Sequence, residues 1–253
     1  MSTTFKLVRV AVLVGLFVLP ACSAPELCTA PSEKCACTSP SQGDTALVVL
    51  TDKASPAFSS AMARMTAAGS KAFANGRLGL DGKPTVIVAT YDAIGAIHEL
   101  GSFNLAGEAD SASRKAANAK LQGACLVKAA AEVPADGSTK GNLLRALPSA
   151  TALAKARGSA GAAVLAFGLG RSSVEGLELD KIDLGSPEAR RKVIQELSRV
   201  GILGAPQPVA VTFVDPAEGI ESGITAGFLN TFVEGDLCAA LTKLRCQRVE
   251  VLA

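Results

Sequence analysis

The residues best able to do chemistry in this sequence are polar ones that directly follow short apolar runs. Thr51, Asp52 and Ser55 follow ALVVL, and Tyr91 and Asp92 follow TVIVAT. Gly168, Gly170, Arg171, Ser172 and Ser173 follow AAVLAF, and Asp215 follows PVAVTFV. Carboxylates beside hydroxyls are the oxygen donors a hard divalent cation takes, and Asp52 with Ser55 is the pair a cation would use. A serine nucleophile needs a base within hydrogen-bond reach. The chain has one histidine, His98, and no Gly-x-Ser-x-Gly elbow, so Ser55 or Ser172 would have to work in an atypical hydrolase site. Gly168-Leu169-Gly170 lacks the third glycine of a dinucleotide loop and does not open directly into a helix, and no Walker loop occurs. The same residue types also cap helices and close turns. The pattern therefore predicts a ligand-facing edge without catalysis, resident metal or cofactor.

Besides Cys22 there are six cysteines: Cys28, Cys35, Cys37, Cys125, Cys238 and Cys246. An even set in an exported chain predicts disulfides, and the sequence leaves the pairing open. Three precede the folded region and three lie within it. Either one bridge joins the two groups or two thiols stay free. Cys125 falls in a predicted helix, where burial or bridging is expected rather than nucleophilic chemistry. Zinc-ligand spacings are absent.

Elements that would position these residues alternate along residues 45–253. Short apolar runs predict strands over 45–51, 84–91, 162–167, 208–214 and 248–252, and an edge hairpin that includes His98 over 94–105. Helical spacing is expected over 56–75, 109–133, 139–157, 186–200 and 224–243. Pro148 should kink or split its helix. Ser186 suits an N-cap and Pro187 the first turn, with Ala189, Val193, Leu197 and Val200 on one face. Near-continuous apolar strands alternating with helices indicate a mostly parallel sheet covered on both faces. The expected fold is α/β, three-layered, doubly wound and Rossmann-like. In such sheets ligands bind beyond the C-terminal strand ends, near a reversal of strand order.

The N-terminal 21 residues carry two cations, Lys6 and Arg9, then an apolar run over 10–19. That is a secretory signal by its layout, too short to span a bilayer. Leu19-Pro20-Ala21-Cys22 resembles a bacterial lipoprotein box, in which the cysteine is acylated and becomes the first mature residue. The resemblance implies lipidation at Cys22, membrane attachment and an extracytoplasmic address. Residues 22–44, rich in Ser, Pro, Ala and Cys, read as a disordered or disulfide-stapled linker. Of 25 basic residues two fall in the leader, leaving 23 against 23 acidic. That neutrality argues against a nucleic-acid partner and against anionic headgroups as the main partner. One Tyr, nine Phe and no Trp argue against carbohydrate-stacking platforms.

Leu47-Val48-Val49-Leu50-Thr51-Asp52-Lys53-Ala54-Ser55 resembles the opening of a von Willebrand factor type A-like domain, whose first strand ends at an aspartate of a metal-binding Asp-x-Ser-x-Ser. Here the two serine positions hold Ala54 and Pro56. LLRALPSATAL, AGAAVLAFGLGRSS, LELDKIDLGSPEARRKVIQELSRVG and PVAVTFVDP together resemble the extracytoplasmic domain of actinobacterial envelope lipoproteins, some of which carry an OmpA-like domain. The resemblance implies a lipid-anchored binding or scaffold module with an unknown envelope protein as partner. Its alternatives are a metal-dependent adhesion domain centred on Asp52 and the atypical hydrolase.

Overall fold

β-Branched and aliphatic runs with no polar interruption form strands that must be buried on both faces, and that is where they lie. In the computed structural model, which describes residues 44–52, 85–104, 141–174, 177–179, 181–218, 220 and 223–249, β1 (Thr45–Thr51) is buried along its whole length. Its neighbours are β2 (Thr85–Tyr91) and β4 (Gly161–Phe167), both parallel to it. β3 (Ile97–Asn104) turns back from β2 and forms an antiparallel edge. β5 (Ser173–Val174) and β6 (Leu177–Glu178) make a separate two-stranded ribbon. β7 (Ala210–Val214) pairs parallel with β4, and β8 (Cys246–Val249) parallel with β7. The six-stranded order is β3-β2-β1-β4-β7-β8, a mostly parallel, Rossmann-like α/β sheet.

Three helices pack on one face: α1 (Leu143–Arg157), α2 (Pro187–Arg199) and α3 (Gly223–Phe232). Alternate strand residues point at them. Val48 and Leu50, Ile87 and Ala89, Val164 and Ala166, and Val211 and Phe213 join Leu147, Val193, Leu197 and Phe232 in one buried cluster. The opposite face, with Leu47, Val49, Val86, Val88, Ala163 and Leu165, is equally buried. The helices expected over 56–75 and 109–133 lie outside the described residues, as do the expected leader over 1–21 and, except for Asp44, the expected linker over 22–44. None of the described helices is long and apolar enough to cross a membrane.

Some boundaries move. α1 begins at Leu143 rather than at residue 139, because Asn142 caps it by accepting from the Arg145 N–H at 3.2 Å. Pro148 does not split it. The proline sits on the exposed side of the sixth helical position, while Leu143, Leu144, Ala146, Leu147, Ala150 and Ala154 are buried opposite. Each large buried aliphatic side chain contributes about 1.5–3 kcal/mol, which together outweighs a proline cost of about 3 kcal/mol. α2 agrees with its sequence signals: the Ser186 hydroxyl accepts from the Ala189 N–H at 3.1 Å and Pro187 is the first helical residue. The expected helix over 224–243 begins at Gly223, widens into a π-helical turn over Val233–Leu237 and finishes with Cys238–Leu241. The strand expected from residue 208 starts at Ala210, and the last strand starts at Cys246 rather than at 248.

Cys238 and Cys246 form a disulfide, with Cα atoms 5.4 Å apart, tying the end of this helix to β8. The set with open pairing thereby shrinks to Cys28, Cys35, Cys37 and Cys125, all outside the described residues; four cysteines admit three connectivities.

Candidate functional site

The chain builds β1, β2 and β3 toward one side of the sheet and then returns to place β4 on the other side of β1. The reversal point is the crevice between the C-terminal ends of β1 and β4, where α/β sheets accept ligands. Three of the expected residues meet there. Asp52 leaves β1, Gly168 leaves β4, and Tyr91 reaches across from the end of β2. The Tyr91 hydroxyl donates to the Phe167 carbonyl at 2.7 Å, passing over the end of the intervening strand. Gly168 has φ +86°, the left-handed region that side chains resist. A Cβ there would lie 2.6 Å from Tyr91 Oη and 3.4 Å from the Asp52 Cβ, so glycine is what admits the tyrosine. Gly141 does the same for the ring, since its Cβ would stand 2.5 Å from Tyr91 Cε2. Asp52 and Tyr91 are 7% and 6% exposed. Neighbouring Thr51 is buried and its hydroxyl donates to the Asp52 carbonyl at 2.8 Å.

A second group surrounds the N-terminus of α1. The Asp92 carbonyl accepts from the Asn142 N–H at 3.0 Å. The Asp92 carboxylate accepts from the Ile94 and Ala96 N–H groups at 3.1 and 2.8 Å, folding the β2–β3 turn, and stands 3.5 Å from His98 Nε2. The Ser172 hydroxyl accepts from the Leu143 N–H at 3.1 Å, satisfying one of the donors a helix start leaves without a partner. Ser172 is 1% exposed. As a buried cap its oxygen serves the backbone, and the nucleophile reading then rests on Ser55, which lies outside the described residues. Asn142 and Gly141 were not singled out from sequence. The signal was there, an Asn directly before Leu-Leu, but the expected helix start at residue 139 concealed it.

Gly170, Arg171 and Asp215 stand apart from the crevice. Gly170 and Arg171 belong to a 3₁₀ turn over Leu169–Arg171, with Gly170 against the Pro216 carbonyl and the Ile220 side chain. Asp215 has φ +40° and ends β7 by donating its N–H to the Val249 carbonyl at 2.9 Å, while its own carbonyl accepts from the Glu218 N–H at 2.8 Å. Aspartate is among the few side-chain-bearing residues that enter this region. Among the described residues no three His, Cys, Asp or Glu side chains converge as a metal's ligand set would.

Compared with known proteins, the chain matches no family model and no curated protein sequence.

Proposed function

We propose that this chain is a lipid-anchored, non-catalytic binding or scaffold module of the bacterial cell envelope, engaging a protein partner through the C-terminal edge of its sheet. The observation that carries this is the Tyr91–Phe167 hydrogen bond. Among the described residues it places the protein's own tyrosine across the crevice at the reversal point, which favours a surface for a macromolecule over a slot for a small ligand. The polar residues that might have done chemistry are engaged in structure: Ser172 caps α1 and Asp92 folds a turn. The Cys238–Cys246 disulfide suits an oxidising compartment outside the cytoplasm, in keeping with the lipoprotein box at Cys22. Two acyl chains on that cysteine would give stable attachment.

Metabolic labelling with a palmitate analogue tests the anchor. Label should enter the wild-type chain and be lost in Cys22→Ala, and label that persists in the variant defeats it. Photo-crosslinking tests the edge. A crosslinker at Asp215 should capture an envelope protein that one at Arg199, on the opposite edge, does not.

Asp52 favours a second reading. It ends the central strand at the position where the resemblance to von Willebrand factor type A-like domains puts a metal-binding aspartate, and its carboxylate lies toward Gly168. A cation that binds only the folded protein at a hundredfold excess over its Kd adds about 2.7 kcal/mol. Thermal unfolding in EDTA, then in magnesium, calcium or manganese, should show a rise that Asp52→Ala abolishes if this reading holds, and no rise if the metal-free module is correct.

A further inference from the structure

The N-terminal edge of the sheet has a different character from the edge discussed so far. Helices that lead into parallel strands run back down the sheet, so α1, α2 and the helical run that continues α3 to Leu241 all finish at this edge. Lys155 and Arg157 close α1, Arg199 closes α2, and Lys243 and Arg245 flank the turn into β8. Two of the five are neutralised. Arg157 pairs with Glu99 at 3.5 Å. Arg199 Nε donates to Glu196 at 2.8 Å, and the guanidinium holds that carboxyl below its ordinary range. Lys155, Lys243 and Arg245 are exposed and make no ion pair among the described residues. Asp44, where the described chain begins, stands at the same edge, its carbonyl accepting from the Ala160 N–H at 2.8 Å.

A cation at a helix end complements the helix dipole, which accounts for Lys155 alone. It does not account for Lys243-Leu244-Arg245. There an aliphatic side chain, 53% exposed, is held out between two cations by a turn in which the Leu244 N–H donates to Thr242 Oγ1 at 2.9 Å. A groove of about 540 Å³, lined by Lys155, Ile202, Leu203 and Leu241, opens beside it. An apolar side chain flanked by cations matches the boundary between anionic headgroups and acyl chains.

We infer that this edge is a membrane-facing surface that meets anionic phospholipid headgroups and orients the domain on the bilayer. Strand β1 starts at this same edge, and the 22 residues from Ser23 to Asp44 span at most about 75 Å. A tether at Cys22 therefore lets the basic edge reach the bilayer, and contact through that edge would turn Asp52, Tyr91 and Asp215 outward. Each lysine or arginine near an anionic surface is worth about fivefold in partitioning, so the three free cations together give roughly a hundredfold.

The orientation rests on the Cys22 anchor, but the surface can be tested without it. The mature chain from residue 22 carrying Cys22→Ser is sedimented with vesicles of phosphatidylglycerol and phosphatidylcholine, and with phosphatidylcholine alone, at low salt. Binding should occur only to the anionic vesicles and fall about a hundredfold in Lys155→Gln/Lys243→Gln/Arg245→Gln. It should weaken in Leu244→Ser and in 1 M salt, where screening shortens to about 3 Å. Lys192→Gln, exposed on α2, should change it by less than twofold. No binding to anionic vesicles, equal binding to neutral ones, or a triple variant that binds like the parent overturns the inference. So does binding to an anionic wall polymer without binding to vesicles. With Cys22→Ser the protein's own lipid takes no part, so failure of the anchor appears in the labelling experiment and failure of this surface in sedimentation.

Discussion

Replacing Gly168 with alanine should cost far more in the native chain than in one that already lacks the Tyr91 hydroxyl. In the native chain two penalties coincide. Alanine at φ +86° carries about 1–2 kcal/mol of left-handed backbone strain. Its Cβ also meets Tyr91 Oη at 2.6 Å. The ring cannot retreat toward Gly141, whose position leaves no space beyond it, so overpacking adds about 1–3 kcal/mol. Displacing the hydroxyl further forfeits its bond to the Phe167 carbonyl, about 0.5–1.5 kcal/mol. The expected total is about 2.5–6.5 kcal/mol. In Tyr91→Phe the obstructing oxygen is gone, and the nearest remaining atom is the Asp52 Cβ at 3.4 Å, so only the strain of about 1–2 kcal/mol remains. Urea unfolding of the four proteins, read by far-UV circular dichroism because Tyr91 is the only tyrosine and there is no tryptophan, gives the coupling directly. A coupling of at least 1.5 kcal/mol is expected, roughly the smaller limits of overpacking and hydrogen bond together. Additivity within about 0.5 kcal/mol, the behaviour of independent sites, would refute the contact and with it the filled crevice.

Substitutions at three further positions probe the frame around that crevice. Cys238→Ala should lower stability by about 2.5 kcal/mol, the loop-closure entropy of an eight-residue separation, and the calorimetric Tm by about 5–10 °C. A reducing agent should lower the Tm of the parent by about that much more than it lowers the Tm of the variant. Ser186→Ala removes the N-cap of α2 and should cost about 1 kcal/mol in urea, while Ser186→Gly should cost only a few tenths. Ser172→Ala leaves the buried Leu143 N–H without its acceptor, a loss of about 1–3 kcal/mol. Serine-directed probes should label neither the parent nor this variant, and labelling that Ser172→Ala abolishes would restore the hydrolase reading.

The strands were legible because a parallel sheet buried on both faces demands unbroken apolar runs, and ALVVL, TVIVAT, AAVLAF and AVTFV are such runs. α2 was legible because its start is encoded by adjacent residues, Ser186 and Pro187. What remained hidden depends on lateral order. Nothing in the spacing of residues 91 and 167 says that a tyrosine ending β2 will reach over β1 to a carbonyl ending β4. That contact exists because the chain reverses between β1 and β4, and the reversal is a property of the whole sheet. The choice of Cys238 with Cys246 is likewise set by the helical segment over Val233–Leu241 lying beside β8. The ribbon of β5 and β6, two residues to a strand, is too short to carry any periodicity. Pro148 misled for a simpler reason: a breaker's cost is local, while the burial that outweighs it is spread over four turns of α1.

Net charge concealed a feature of the same kind. A stretch with 23 basic and 23 acidic residues over 22–253 reads as indifferent to anionic surfaces, and an average over the sequence could read no other way. Parallel topology sorts what the average mixes. Helices begin at the C-terminal edge, where Asp92, Asp183, Asp215 and Glu218 occupy turns and caps, and end at the N-terminal edge, where Lys155, Lys243 and Arg245 stand exposed. Acidic residues favour helix starts and basic ones favour helix ends, so a one-directional sheet tends toward an acidic edge and a basic edge even at zero net charge. In this chain β1 starts at the basic edge, so under the proposed attachment a tether leading into β1 and attraction to an anionic bilayer would be compatible with one orientation. The edge that carries Asp52, Tyr91 and Asp215 would then face away from the bilayer, where the proposed partner could reach it.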